Sequence, residues 1–535
     1  MLRNSRTLIR SLATAIAAAP AIVMAQYSET KIGEYLHYAV AAASGGVYAG
    51  YDSINFASPS LYTPALGWVD LPYSAGFDTS YPYYGYTTGI SRDGSIVSGY
   101  AWGTSNGAAV QYAAYWVNGS ESLVPAPPDD ANASIMSATG ISADGSTLLV
   151  QDQTGSKVET YVFKIATQTF TSLGYLGTTV QQTYASATNK DGSIVSGYCN
   201  LDNGNADGFL WTAPTGLKNL GIPPNHPNTV YLEPTCMSDD GTTVFGALTE
   251  LNGWIGFRYN TKTGFQDTAG IVPHSCSADG TETVGIENFY FPAIWTVANG
   301  GGYLDHLLSA HGIAQPLGTI GGPVTISPDD SLVTAIGPDV YLADQIWYGT
   351  WQIKLPAPLK TAPIAPKLLY FSTGYMTTLN APAGSLIQYA EFNTKASALL
   401  VTPPAHASSF VLNANGSFSY TPMKGYGDRT DSFTYRLLGP HGHSNVGQAQ
   451  IFVASHISRL NPASVAVGSP DTLVTVIGAG FVSTDWITVN GTALGTTFIS
   501  STELQLTIPA SYLAVKGPVR LTVEGASNTA TLYVK

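Results

Sequence analysis

One phrase constrains this chain more than any other feature. It reads GISRDGSIVSGY at residues 89–100 and ATNKDGSIVSGY at 187–198. Looser copies are GISADGSTLLV (140–150), MSDDGTTVFG (237–246), CSADGTETVG (276–285) and ISPDDSLVTAIG (326–337), with a degenerate AAASGGVYAGY at 41–51. The seven copies, marked by Gly45, Gly94, Gly145, Gly192, Gly241, Gly280 and Asp330, recur at spacings of 39 to 51 residues. A period in this range signals stacked or radial supersecondary units. Asp-Gly between apolar residues is a strong hairpin signal, and a two-residue primed turn would place both Asp93 and Gly94 at positive φ. A second glycine recurs five residues after the marker, at Gly50, Gly99, Gly197, Gly246 and Gly285. Inside a strand such a glycine marks close backbone approach, as expected for inner strands converging on a crowded axis.

Behind each hairpin comes an aromatic strand, with Trp116, Phe163, Trp211, Phe257, Trp295 and Trp351 in the aromatic slot, and then a short strand such as TSLG at 171–174 or KNLG at 218–221. Each repeat thus supplies about four short strands, the content of one propeller blade. The sequence predicts an all-β chain: a seven-bladed β-propeller, with six or eight blades left open, followed by two immunoglobulin-like β-sandwich domains. The last repeat lacks an outer strand of its own, while QYSETKIG at 26–33 has the texture of one. The N-terminal strand is therefore expected to complete the last blade and remove a free edge.

Residues 1–25 read as a secretory signal: Arg3, Arg6 and Arg10, then an apolar run from Leu12 to Ile22, then Val23-Met24-Ala25 as the cleavage site. Export to the exterior or the cell envelope, the periplasm included, is the resulting expectation. The formal charge of −13 argues against nucleic acid, whose phosphates require clustered Lys and Arg. No later stretch approaches the roughly 18 apolar residues of a membrane span, and a monomer is expected. Cys236 and Cys276 precede consecutive hairpins and could bridge neighbouring units. The reading adopted is buried free thiols, with the pairing of Cys199, Cys236 and Cys276 otherwise open. No metal or cofactor is expected, because His306, His311, His441 and His443 have no adjacent third ligand and read as solvated loop residues.

The SADG phrase, the aromatic strand and the Leu-Gly turn together resemble the HAF family of bacterial extracellular repeats over residues 26–355, and LDHLLSAHGI at 304–313 resembles the segment that precedes their last repeat. Asp329-Asp330 and Ser44-Gly45 depart from that pattern. PAPLKTAPIAP at 356–366 reads as a stiff proline-rich connector. Residues 367–456, with LNANGSFSYTP and DSFTYRL, resemble cadherin-like bacterial immunoglobulin-fold modules, although Asn415 stands where that family often carries an Asp, which lowers the expectation of calcium. Residues 457–535 resemble the IPT/TIG domain, with the Asn490-Gly491 hairpin a backbone requirement.

The repeated Asp (Asp93, Asp144, Asp191, Asp240, Asp279, Asp329) belongs to the turn rather than to chemistry, since asymmetric chemistry needs residues that do not repeat. No catalytic residue is assigned. The largest departure from the repeat is the segment Tyr73 to Tyr86, with Tyr73, Phe77, Tyr81, Tyr83, Tyr84 and Tyr86 on a Gly/Ser/Pro backbone. Tyr81, Tyr83, Tyr84 and Tyr86 are the candidate ligand-binding residues, against the alternative that they pack as blade strands. The expected function is a secreted or surface binding or adhesion protein that takes carbohydrate or a surface protein, with the immunoglobulin-like domains as spacers. The alternative is a secreted carbohydrate-active enzyme, a glycosidase or lyase, with those domains as accessory modules.

Overall fold

The computed structural model describes residues 28–33, 37–52, 58–72, 85–105, 108–131, 133–250, 253–287, 291–313, 324–342 and 345–535. The proposed signal and Tyr73 to Tyr84 lie outside the described residues. The chain divides into two compact units, one ending at Lys360 and the other beginning at Thr361.

Among the described residues of the first unit the strands form seven antiparallel four-stranded blades. The first is built from His37–Ala42, Tyr48–Asp52, Ser58–Thr63 and Gly67–Asp70. The next five begin at Gly85–Ile90, Met136–Ile141, Thr183–Thr188, Tyr231–Met237 and Ile271–Cys276; blades 4 and 5 are joined by a parallel contact between Ala206 and Tyr231. The seventh uses Thr325–Ile326, Leu332–Leu342 and Gln345–Lys354, and its fourth strand is Ser28–Lys31, registered from Ser28 opposite Lys354 to Lys31 opposite Trp351. The N-terminus thus supplies the strand that the last repeat lacks.

The aromatic slot packs the blades. Trp116 and Phe163 are fully buried, Trp211 and Trp295 nearly so, and each lies among apolar side chains that include those of a neighbouring blade. The Asp-Gly turn differs from the two-residue primed form. Only Gly94 is left-handed (φ +76°) while Asp93 is not. The Gly94 N–H donates to Ser91 O (2.9 Å) and the Ser91 N–H to Ile96 O (2.8 Å), so four residues, Arg92 to Ser95, make the loop. The reason lies in the serine: the Ser91 hydroxyl donates to the Asp93 carboxylate (2.7 Å) and its Oγ accepts the Ile96 N–H (2.9 Å), while Asp93 also accepts the Ser95 N–H (3.0 Å). These bonds, led by that from Ser91, hold the Asp93 carboxyl below its usual range. Ser142/Asp144, Ser238/Asp240, Ser277/Asp279 and Ser327/Asp329 repeat the Ser-to-Asp bond.

The second glycine answers to a β-bulge. In blade 2 the register slips between Thr87 and Gly89, which throws the Tyr86 carbonyl toward the neighbouring strand; a Cβ on Gly99 would meet that oxygen at 2.0 Å. Gly50, Gly197, Gly246 and Gly285 face the corresponding carbonyl at 1.9 to 2.3 Å.

The second unit holds two sandwiches. In the first, a sheet of Leu368–Gly374, Gly447–Ala454, Arg429–Gly439 and Ser397–Thr402 and one of Leu379–Ala381, Phe418–Pro422 and Ala407–Leu412 enclose Phe418, Tyr420, Phe433 and Tyr435. Asp431 of the DSFTY run is buried, accepts from Tyr420 Oη (3.1 Å) and the His406 N–H (2.9 Å), and so pins the fold. In the second, sheets around Thr472–Ala479 and Gly517–Val523 enclose Val474, Val476, Leu504 and Leu521. Here Asn490 (φ +48°) and Gly491 (φ +88°) do form the two-residue primed turn, between Val489 and Thr492.

Candidate functional site

The first strands of all seven blades surround a central cavity of about 230 Å³. In six of them a one-residue bulge aims a side chain at the axis: Val40, Thr88, Thr139, Ser186, Thr235 and His274. The hydroxyls form a belt. Thr88 donates to Ala138 O, Thr139 to Ala185 O (3.2 Å), Ser186 to Pro234 O and Thr235 to Pro273 O (2.9 Å), each reaching the next blade. His274 stands where the series predicts another hydroxyl. Enclosure within the channel lowers its imidazole below its ordinary range.

At one end of the cavity the Ser-x-Asp-Gly turns join in a ring of backbone hydrogen bonds. Ser44 N donates to Arg92 O (2.9 Å), Arg92 N to Ala143 O (2.8 Å), Asp144 N to Lys190 O (3.0 Å), Lys190 N to Asp239 O (3.0 Å), Asp239 N to Ala278 O (2.8 Å) and Ala278 N to Pro328 O (3.4 Å). The ring stops at Pro328, which has no N–H to pass on to blade 1. Across this mouth the Arg92 guanidinium of blade 2 pairs with the Asp239 carboxylate of blade 5, both half-buried. A covalent link lies beside it: Cys236 and Cys276 are disulfide-bonded across blades 5 and 6, with Cα atoms 5.9 Å apart, and Cys199 is a buried free thiol. This corrects the reading of free thiols. Ring packing sets the first strands of blades 5 and 6 side by side, within reach of a bridge, which the linear spacing of 40 residues does not reveal.

The other end of the first strands is aromatic. Tyr38 pairs with Tyr51 across blade 1 and Tyr86 with Tyr100 across blade 2; Tyr51 meets Tyr86 between the blades, with ring centroids 5.1, 5.5 and 5.1 Å apart for Tyr38–Tyr51, Tyr86–Tyr100 and Tyr51–Tyr86. Tyr184 and Tyr198 repeat the pair in blade 4 (4.9 Å, stacked). The series is interrupted in blade 3 by Ser137 and Gln151 and in blade 5 by Glu233 and Ala247. All the tyrosines are half-buried, and burial pushes the Tyr51 and Tyr198 phenols up to about 12, so they stay neutral hydrogen-bonding groups.

Of the four candidate residues, Tyr86 therefore belongs to this cluster, on the first strand of blade 2, while Tyr81, Tyr83 and Tyr84 lie outside the described residues. Phe291 of the second aromatic cluster sits on a blade-6 strand beside Tyr303 (5.6 Å). His306 is on a short helix, Leu304–Ala310, rather than in a loop. Sequence reasoning missed Arg92, Asp239 and His274. The signal was present: Arg and Asp occupy the variable position of Ser-x-Asp-Gly, and His274 replaces the hydroxyl two residues before the cysteine.

Several solved structures are similar at low identity. TolB from Acinetobacter baumannii is 15% identical, with 43% of this chain and 53% of that one covered and a TM-score of 0.31, so the chain spans about half the length of that relative. Oligogalacturonate lyase from Vibrio parahaemolyticus is 13% identical, with 62% and 92% covered and a TM-score of 0.37. The Dos1 propeller is 9% identical, with 63% and 96% covered and a TM-score of 0.37. No curated protein matches the chain. One family model does match: residues 455–534 are an IPT/TIG domain.

Proposed function

We propose that this is an exported binding protein whose propeller takes carbohydrate on the tyrosine cluster of blades 1 and 2, with the two sandwich modules acting as spacers. The domains in this reading are a signal at 1–25, a HAF-type propeller at 26–355, a connector at 356–366, a cadherin-like module at 367–456 and the IPT/TIG domain to residue 535. The observation that carries it is the contiguous run Tyr38, Tyr51, Tyr86 and Tyr100. Four half-exposed phenol rings offer flat apolar faces with neutral hydroxyls at their edges, which matches the alternating apolar faces and hydroxyl rims of a sugar. Blades 3, 5 and 6 lack the pair, so the surface has a direction and a ligand would be held off-axis.

The test is retention on a panel of immobilised polysaccharides. Tyr51→Ala and Tyr86→Ala should each abolish retention while leaving the far-ultraviolet circular dichroism spectrum unchanged. Retention that survives both substitutions would remove the cluster from the binding surface.

A further inference from the structure

Two departures from the repeat occur together, and the structure puts them face to face. In blades 2 to 6 the marker is glycine, and it rests on the side chain two residues past the marker of the preceding blade: Gly94 on Val47, Gly145 on Ile96, Gly192 on Thr147, Gly241 on Ile194 and Gly280 on Thr243, so close that a Cβ added to the glycine would lie 2.5 to 3.1 Å from that side chain. At the last junction both partners change. The marker is Asp330, left-handed at φ +62°, and the residue beneath it is Glu282. Both are buried, at 9% and 2% exposure. A repeat that keeps small or apolar groups at this contact has replaced both with acids at one joint only.

Their hydrogen bonds are incomplete in a complementary way. Glu282 Oε1 accepts the Leu359 N–H (3.0 Å), and Leu359 O in turn accepts from the buried Asn299 amide (2.8 Å), so the start of the connector is tied to blade 6. Glu282 Oε2 and Asp330 Oδ1 are buried without a partner. Two buried carboxyl groups in opposition cannot both ionise cheaply. One proton placed between them supplies a donor to one orphan oxygen from the other. We propose that Glu282 and Asp330 form a proton-operated latch: with one proton carried by Asp330 and directed at Glu282 the connector is held on blade 6, and loss of that proton to solvent leaves two facing carboxylates and releases it.

The surroundings favour retention of the proton. Burial pushes Asp330 up to about 8 and Glu282 up to about 7, and the carboxylates of Glu282, Asp279 and Asp329 add to the rise at Asp330, opposed by the nearby Ser277 hydroxyl. At Glu282 the Leu359 N–H favours the charged form, which places the proton on Asp330. Lys354 and Lys360 line a cleft with Ser331 and Leu355 to Pro358, and Arg258, whose guanidinium donates to Gly280 O (3.2 Å), acts on the Asp279 carboxylate. The sign follows from these directions. A carboxyl whose folded pKa lies above its unfolded value contributes stability that is complete below about 4 and is lost as pH rises through the folded value. The latch is closed in acid and opens near pH 8.

Hydrogen exchange at the Leu359 amide of the full chain, corrected for intrinsic rate, is the direct readout. Between pH 6 and pH 8 the wild-type opening constant should rise by up to about tenfold per pH unit, the limit for one linked proton. Asp330→Gly, which restores the repeat residue, should end the rise near pH 7, where burial alone holds Glu282, and raise the melting temperature at pH 9. Glu282→Gln keeps the acceptor for Leu359, removes the facing carboxylate and should lower the opening constant at pH 9. Equal pH slopes between pH 7 and pH 8 in wild type and Asp330→Gly would overturn the proposal. So would full restoration of wild-type protection at pH 9 by millimolar calcium, because the pair would then be holding a metal ion rather than a proton.

Discussion

Removing Ser28 to Gly33 is the most direct perturbation of the ring closure. The strand registers four residues against Trp351 to Lys354, and the Ile32 and Gly33 N–H groups both donate to Thr350 O (2.9 and 3.1 Å). Roughly five backbone hydrogen bonds are lost, each worth about 0.5–1.5 kcal/mol net, so the cost is about 3–7 kcal/mol. Unfolding entropy is about 2.1 cal/mol/K per residue, or about 0.7 kcal/mol/K over roughly 330 residues, which converts that cost into a fall of about 4–10 °C in melting temperature. Glu29 adds a pH dependence: burial pushes its carboxyl up to about 7, so the strand is bound most tightly in acid and the deletion should cost more at pH 5 than at pH 8. Differential scanning calorimetry of the full chain reads both effects. A shift under about 1 °C at pH 5, against the several degrees expected, would refute the view that this strand closes the propeller.

Gly99→Ala should destabilise the first unit by about 2–4 kcal/mol, because the backbone oxygen 2.0 Å from the added methyl cannot move without straining the bulge; urea denaturation measures it. Replacing both Cys236 and Cys276 by Ser should cost about 2–4 kcal/mol in the same assay under oxidising conditions, and the loss should vanish when wild type is compared under reductant. Asp93→Ala should lower stability by about 1 kcal/mol above pH 4, with no difference from wild type once pH falls through the depressed Asp93 value, as acid titration followed by fluorescence would show. Residues 457–535 expressed alone should give dispersed amide signals, since the core of Val474, Val476, Leu504, Leu506, Leu521 and Leu532 is internal to them; a collapsed spectrum would contradict this.

Much of the architecture was legible because a repeat averages over its own exceptions. Seven copies of one phrase gave the blade count, and an unmatched outer strand at residues 26–33 pointed to closure by the N-terminus. Turn chemistry was read less well: Asp-Gly suggested a two-residue loop, but the serine two residues before the aspartate competes for the strand's N–H and widens it to four, whereas Asn490-Gly491 has no such competitor and forms the expected turn. The recurrent glycine was correctly tied to close approach, although its cause is a bulge carbonyl and not crowding at the axis. Arg92 and Asp239 sit 147 residues apart and meet only because two turns face each other over the channel. Such pairings follow from closure of the ring, which a linear reading supplies last. Tyr86 was singled out as part of an unusual segment; its partners Tyr38, Tyr51 and Tyr100 were hidden because each belongs to the ordinary repeat.

Ser28 lies opposite Lys354, so the chain enters the last blade and leaves it from the same end of one antiparallel pair. This fixes how the blade resists tension. A pull that separates the two ends loads the pairs one after another, from Ser28–Lys354 inward, and the closure unzips at low force. A pull on the tail alone, with the propeller held by whatever it grips, instead drags Gln345–Lys354 lengthwise against neighbours on both edges and strains all their bonds together. The same seam is therefore weak as a zipper and strong as a tether, and the direction of load decides which.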